Sequence, residues 1–244
     1  MLRLDLPHAP PHEQLATDEA LLDWCEAGHS DELLLFWEPH ETFIVVGYAN
    51  KVAAEVNVTT CQARGFPIYR RCSGGGTVVQ MPGGLNYSLI LRITETGPAR
   101  NISSANQFIM ERNCAGIESE VRIQKPEARI SVRGHTDLCL GDLKFAGNSQ
   151  RRRKYFLLFH GTFLLNCDLR LISDLLHMPS LQPDYRASRS HKDFVTNLNL
   201  PIEKIKAALA TAWNAKEPIK TLPVGEIKRL AQEKYSTEEW NFKF

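Results

Sequence analysis

The segment Arg70-Arg71-Cys72-Ser73-Gly74-Gly75-Gly76-Thr77 constrains this chain more than any other. Three consecutive glycines open backbone angles closed to other residues and let a ligand approach the main chain closely. Successive N–H groups exposed in such a loop can receive an anionic oxygen. Arg70 and Arg71 add fixed positive charge beside it. Two nucleotide-binding loops are excluded. No Gly-Lys-Ser or Gly-Lys-Thr follows, so this is not a P-loop. The next residues, Thr77-Val78-Val79, are β-branched and strand-like, so the loop does not open a helix as a GxGxxG motif would. Taken alone, the triplet also fits a plain turn between two strands.

The flanking sequence predicts mixed secondary structure. Residues 11–27 read as a helix, with Leu15, Leu21, Leu22 and Cys25 near helical spacing and Gly28 after its end. Leu33–Phe36, Thr42–Val46 and Phe66–Arg70 read as strands, with a short helix over Asn57–Arg64 closed by Gly65. Gly76–Gln80 and Leu85–Ile93 read as paired strands around the Pro82-Gly83-Gly84 turn signal. In the second of them Leu85, Tyr87, Leu89, Leu91 and Ile93 share one face, and Asn86, Ser88, Ile90 and Arg92 the other. A helix is predicted from Ser103 or Ser104 to about Glu118 with the serine as cap. Further strands are predicted over Leu138–Leu140, Lys144–Ala146 and Phe156–Leu165. Helices are predicted over Ile172–Leu176, Ile202–Trp213 and Glu226–Tyr235. Without regular βαβ alternation this predicts an α+β fold with a mixed, mainly antiparallel sheet flanked by helices.

Two later segments carry polar residues inside apolar strands. In Gly141-Asp142-Leu143-Lys144-Phe145-Ala146-Gly147-Asn148-Ser149-Gln150, alternation places Lys144 and Ala146 opposite Leu143 and Phe145. A lysine aimed into a pocket can bridge a carboxylate oxygen and a phosphate; on an edge strand it is simply solvated. In Phe159-His160-Gly161-Thr162-Phe163, a glycine inside a strand marks close approach of a ligand or another backbone. His160 reads as a hydrogen-bonded structural histidine rather than the general base.

These segments, RRxSGGGT, LNYS, GDxKFAGNSQ and HGT in that order, resemble the lipoate–protein ligase family and its relatives, the octanoyl transferases and biotin ligases. The resemblance covers roughly residues 10–200, and the tail EKYSTEEWNF resembles the end of some members. It implies the catalytic domain shared with biotin ligases, acting as an ATP-dependent ligase. Lipoate or octanoate would be activated as the acyl-adenylate and passed to a lysine of a lipoyl carrier domain. Lys144 would contact the acyl carbonyl and the α-phosphate. Arg71, Ser73, Gly74, Gly75, Gly76 and Thr77 would line the adenylate site, with Asn86 beside them. Gly147, Asn148, His160, Gly161 and Thr162 would complete the wall. Asp137, in a loop resembling the ligases' nucleotide loop, is a further candidate and the one candidate for a metal. ATP and Mg²⁺ are the implied cofactors. The apolar tail would need a slot, for which Leu85 and Tyr87 are candidates. The run Arg151-Arg152-Arg153-Lys154 reads either as a solvated turn or as a docking patch for an acidic carrier.

Residues 1–244 are expected to form one catalytic domain without the accessory domain of larger ligases, so a separate accessory protein would be a partner. One rival is a cysteine-dependent transferase taking octanoyl from acyl carrier protein, with Cys72 or Cys139 as nucleophile. A second, of another class, is a non-catalytic lipoate-binding protein. Lys and Arg total 29 against 28 Asp and Glu, which gives no case for a nucleic-acid partner. Six scattered cysteines without CxxC pairs fit reduced thiols and a cytoplasmic location. No apolar run approaches the ~20 residues needed to span a bilayer, so no membrane partner is expected.

Overall fold

The computed structural model describes all 244 residues. Strand β1 (Leu2–Asp5) leads into helix α1 (Pro11–Glu26). Then come β2 (Leu33–Trp37), β3 (Phe43–Val46), the short helices α2 (Val52–Glu55) and α3 (Val58–Ala63), and β4 (Ile68–Arg70). The glycine loop separates β4 from β5 (Val78–Gln80); β6 (Gly84–Arg92) precedes α4 (Ile102–Gln124). Next are β7 (Ile130–Arg133), β8 (Asp137–Leu140), β9 (Leu143–Arg152) and β10 (Phe156–Leu164). The chain closes with α5 (Arg170–Leu175), α6 (His191–Phe194), α7 (Ile202–Ala212), the two-residue β11 (Glu217–Pro218), α8 (Val224–Leu230), a π turn over Ala231–Tyr235, and α9 (Glu238–Asn241).

The strands form an eight-stranded sheet in the order β11-β1-β2-β6-β10-β9-β8-β7 and a three-stranded sheet in the order β4-β3-β5. Only the β1–β2, β1–β11 and β3–β4 pairs are parallel. The predicted mixed, mainly antiparallel α+β fold is therefore the one observed. Alternation along β6 and β10 decides what each face of the large sheet does. Leu85, Tyr87, Leu89, Leu91, Leu157, Phe159 and Phe163 enter a core shared with Ile109, Ile117 and Val121 of α4 and Ile205 and Leu209 of α7. Each such fully buried aliphatic contributes about 1.5–3 kcal/mol. Ile90 and Leu158, on the opposite face, pack with Leu15, Leu21 and Leu22 of α1 and with Trp37, Phe43 and Val45. The small sheet lies over this second face.

Several sequence expectations are corrected. β5 and β6 are not hairpin partners: β5 pairs with β3, and β6 lies between β2 and β10. The Pro82-Gly83 turn instead carries the chain from one sheet to the other. Gly83 O accepts from Leu165 N and Asn166 N, and a Cβ there would meet Asn166 O at 2.2 Å. Helix α4 begins earlier and runs longer than predicted. Its cap is Asn101, whose side chain accepts from Ser104 N at 2.9 Å, so Ser104 is the third helical residue of a capping box and not the cap. β1 and β7 carry no strong pattern and were not predicted; both exist by pairing, with β2 and β8 respectively. The last predicted helix is broken, at residues 231–235, into a π turn.

Candidate active site

A cavity of about 910 Å³ opens between the two sheets. Its floor comes from the polar positions of β6, β9 and β10, because the apolar positions of the same strands point into the other core. Leu15 and Asp18 of α1, Val45 of β3 and Val78–Gln80 of β5 form one side. The irregular segment 177–195 forms another, with Tyr185, Arg186, His191 and Phe194 on the wall.

Most of the sequence candidates converge there. Lys144, Arg71, Gly76, Thr77, Asn86, Asp137, Gly147, Asn148, His160, Gly161 and Thr162 line the cavity; Ser73, Gly74 and Gly75 do not. Gly74 and Gly75 are exposed at the rim and Ser73 is buried behind the wall. The main-chain N–H groups of residues 73–76 have no acceptor within the chain, so the loop keeps free donors.

Arg71 holds that loop rather than facing the cavity with free donors. It donates to Ser73 Oγ at 3.0 Å, to Gly74 O at 2.5 Å and to Gly76 O at 2.7 Å, and burial lowers its pKa to about 10. Gly75 takes φ +83°, open to glycine. Ser149 Oγ, which the sequence did not mark, donates to Gly74 O at 2.8 Å and fastens the loop to β9.

Lys144 Nζ lies 2.7 Å from Asp137 Oδ1. Tyr185 O–H donates to the other oxygen, Asp137 Oδ2, at 2.7 Å, and burial, with this neighbouring carboxylate second, pushes the phenol's pKa well up. Asp137 is thus the partner of both the lysine and Tyr185. Gly147 is glycine for a steric reason: a Cβ there would sit 2.8 Å from Lys144 Cε and Nζ. Gly161 likewise makes room for Asn148, whose Oδ1 would lie 1.8 Å from an added Cβ.

His160 joins residues distant in the chain. Its Nδ1 is 2.6 Å from Asp18 Oδ2 and its Nε2 is 2.5 Å from Ser73 Oγ. Ser88 donates to Asp18 Oδ1 at 2.6 Å. A proton on Nδ1 satisfies all these contacts, leaving Nε2 to accept from Ser73 Oγ. Asp18 was missed because nothing local marks one acid in an ordinary helix. Gln80 was missed too: its amide closes a ring with Asn86 and Thr162, at 2.8 Å and 2.9 Å, so Asn86 presents a satisfied amide to the cavity.

Of the two apolar candidates, Leu85 packs in the opposite core, whereas Tyr87 lines the cavity, its hydroxyl donating to Asn148 and accepting from Asn113. Leu15, Trp37, Val45 and Val78 add apolar surface to the lining. Nor is the 151–154 run one free patch. Arg151 donates to Cys72 O, Arg152 to Ala99 O and Arg100 O, and Arg153 to Asp23; only Lys154 stays outside, over Tyr155. None of the six cysteines, all free thiols, lines the cavity. Burial pushes Cys72 up to about 12 and raises Cys139 as well.

Comparison with known proteins identifies the family. The lipoyl protein ligase A/B catalytic domain model matches residues 10–214. Octanoyltransferase LipM of Geobacillus kaustophilus is 26% identical, over 98% of this chain and 97% of its own. A lipoate-protein ligase A structure bound with ATP superposes with a TM-score of 0.80 at 25% identity, covering 99% of this chain and 98% of that one. A bi-partite lipoate protein ligase from Thermoplasma acidophilum, described with its E2 lipoyl domain, gives 0.78 at 25% identity, over 99% and 96%. With the glycine loop, the lysine strand and the His-Gly-Thr strand gathered on one cavity inside the matched residues, the chain belongs to the lipoyl protein ligase A/B catalytic domain family.

Proposed function

We propose that this enzyme is an ATP-dependent lipoate–protein ligase. The observation that carries this reading is one cavity lined by both the Lys144 ammonium and Gly76, whose N–H is free, while every cysteine lies off it. Attack of the lipoate carboxylate on the α-phosphorus of ATP forms the acyl–phosphate bond and breaks the bond to pyrophosphate. Both reactants are anions, so fixed cations and backbone donors must hold them together. Lys144 would touch the acyl oxygen and the phosphate, and an incoming anion would take the ammonium from Asp137. The Gly76 N–H, the free loop donor at the cavity, would bind a phosphate oxygen. The carrier lysine then attacks the acyl carbon and AMP leaves, with positioning supplying much of the rate. The apolar surface of Leu15, Trp37, Val45 and Val78 suits the apolar tail.

Mg²⁺ fits this site as a companion of the nucleotide. No group of three His, Cys, Asp or Glu residues stands ready to hold a metal. Magnesium is commonly bound by one or two carboxylates plus substrate phosphates, and Asp137 is one carboxylate at the cavity. Residues 1–244 act, on this reading, as the catalytic domain, working with a lipoyl domain and with a separate accessory protein like the second part of the bi-partite archaeal ligase. No helix is long and apolar enough to cross a membrane.

The test mixes the protein, a lipoyl domain, lipoate, ATP and Mg²⁺, and weighs the lipoyl domain. The expected product carries one lipoyl group on lysine, forms only with ATP, and yields AMP and pyrophosphate. Modification from octanoyl-acyl carrier protein without ATP would instead establish the transferase. Cys72→Ala and Cys139→Ala should each retain ATP-dependent activity within a few-fold, because both thiols are buried and protonated. Loss of transfer in either, in a folded variant, would restore the cysteine mechanism. Gly147→Ala should cut ligation about ten-fold or more by displacing Lys144 Nζ, without changing the affinity for the lipoyl domain. Unchanged turnover would mean that the ammonium position is unimportant.

A further inference from the structure

The segment Tyr235–Phe244 lies outside the residues that the family model matches and touches no wall of the cavity. It nevertheless grips the strand that feeds the glycine loop. β4 has only β3 as a partner, so its other edge is free. The segment closes that edge at Arg70. Asn241 Oδ1 accepts from Arg70 N at 2.9 Å, and Trp240 Nε1 donates to Arg70 O at 2.8 Å. Asn241 Nδ2 donates to Tyr235 O at 3.0 Å, which orients the amide.

Arg70 itself is 0% exposed and has no acid partner among its contacts. Its guanidinium is held by five carbonyls from two places. Gly47 O, Tyr48 O and Asn50 O accept from Nη1 at 2.9, 3.0 and 2.8 Å. Trp240 O accepts from Nε and Asn241 O from Nη2, each at 3.0 Å. A buried cation without a carboxylate depends on such acceptors, because loss of Trp240 O or Asn241 O would leave a desolvated N–H on Nε or Nη2. The ring of Phe244 lies 5.3 Å from the guanidinium carbon.

The strand and turn that Arg70 joins are the two posts of the glycine loop. Tyr48 N donates to Ser73 O at 2.8 Å, Arg71 N to Val46 O at 3.1 Å, and Asn50 Nδ2 to Thr77 Oγ1 at 3.3 Å. We propose that Trp240 and Asn241 are positioning residues for the reaction: through Arg70 they hold residues 47–50 and 70–71 together, and so fix the geometry of the glycine-loop donors. The catalytic consequence rests on the ligase reading above; the mechanical one does not.

Hydrogen exchange on the full chain separates the two. In Asn241→Ala, the protected amides of Tyr48 and Arg71 should exchange at least ten-fold faster, while those of β6 and β10 keep their rates. Asn241→Asp, which retains the acceptor for Arg70 N, should recover part of the protection. Ligation by Asn241→Ala should fall at least ten-fold in kcat/KM for lipoate, with KM for the lipoyl domain unchanged. Unaltered exchange at Tyr48 and Arg71 would overturn the proposal. So would faster exchange spread evenly over the chain, which would make the segment a general support. If the wild-type protein shows no ATP-dependent ligation, the ligase reading fails, and the exchange result still decides whether the brace exists.

Discussion

Replacing Lys144 by Ala should reduce ATP-dependent lipoylation by at least two orders of magnitude. Lys144 is the one lysine on the cavity wall, and on the proposed ligase reading its ammonium would meet both anionic reactants. Removing a single preorganised donor to a developing charge costs about 10²–10³ in kcat, or about 2.7–4 kcal/mol. The substitution should not unfold the chain. Its ammonium pairs only with Asp137, and that carboxylate would still accept from Tyr185 and reach cavity water. Lys144→Arg would keep the charge but replace a compact ammonium by a larger planar fork, and should remain well below the native enzyme. Single-turnover kinetics followed by intact mass provides the measurement. Activity within a few-fold of native in Lys144→Ala would remove the central cation from the mechanism.

Gly47→Ala should damage both stability and activity, although Gly47 is not a cavity residue. A Cβ at this position would stand 2.0 Å from Gly75 O and 3.1 Å from Gly75 C, so main chain must move. Forced overpacking of this kind costs typically about 1–3 kcal/mol, which in a chain of this size lowers Tm by about 2–4 °C per kcal/mol. The larger effect should fall on ligation. Moving Gly75 shifts the free N–H groups and strains the Arg71 bonds to Gly74 O and Gly76 O. We expect at least a hundred-fold loss in kcat/KM, measured beside thermal unfolding. Gly74→Ala is the control, because nothing lies within 4 Å of its added Cβ and its φ is not positive. It should leave Tm unchanged. Equal effects of the two substitutions on Tm would show that the Gly47–Gly75 approach does not restrain the loop.

Both substitutions mark how far residue patterns reach. The β6 and β10 faces were readable because alternation follows from backbone geometry alone, and Leu85, Tyr87, Leu89 and Leu91 do enter one core. Helix α1 ended at its glycine signal, and Gly28 has the positive φ that such an end requires. The turn at Pro82-Gly83 was equally visible, but a turn signal gives a change of direction and not the partner of the next strand. Hence β5 and β6 read as a hairpin although each belongs to a different sheet. The wall from 177 to 195 carried no periodic pattern, and Tyr185 could be recognised only once its hydroxyl was seen on Asp137.

By itself, the sequence determined the class of fold, the donor-rich glycine loop and the side of β9 on which Lys144 stands, because these depend on neighbouring residues and backbone sterics. Only the tertiary structure decided that Asp18, Ser73 and His160 meet, that three of the four basic residues at 151–154 are tied inward, and that Trp37, Val45 and Val78 line the cavity. Those outcomes require surfaces far apart in the chain to pack, and the energy of such contacts has no local signature to read.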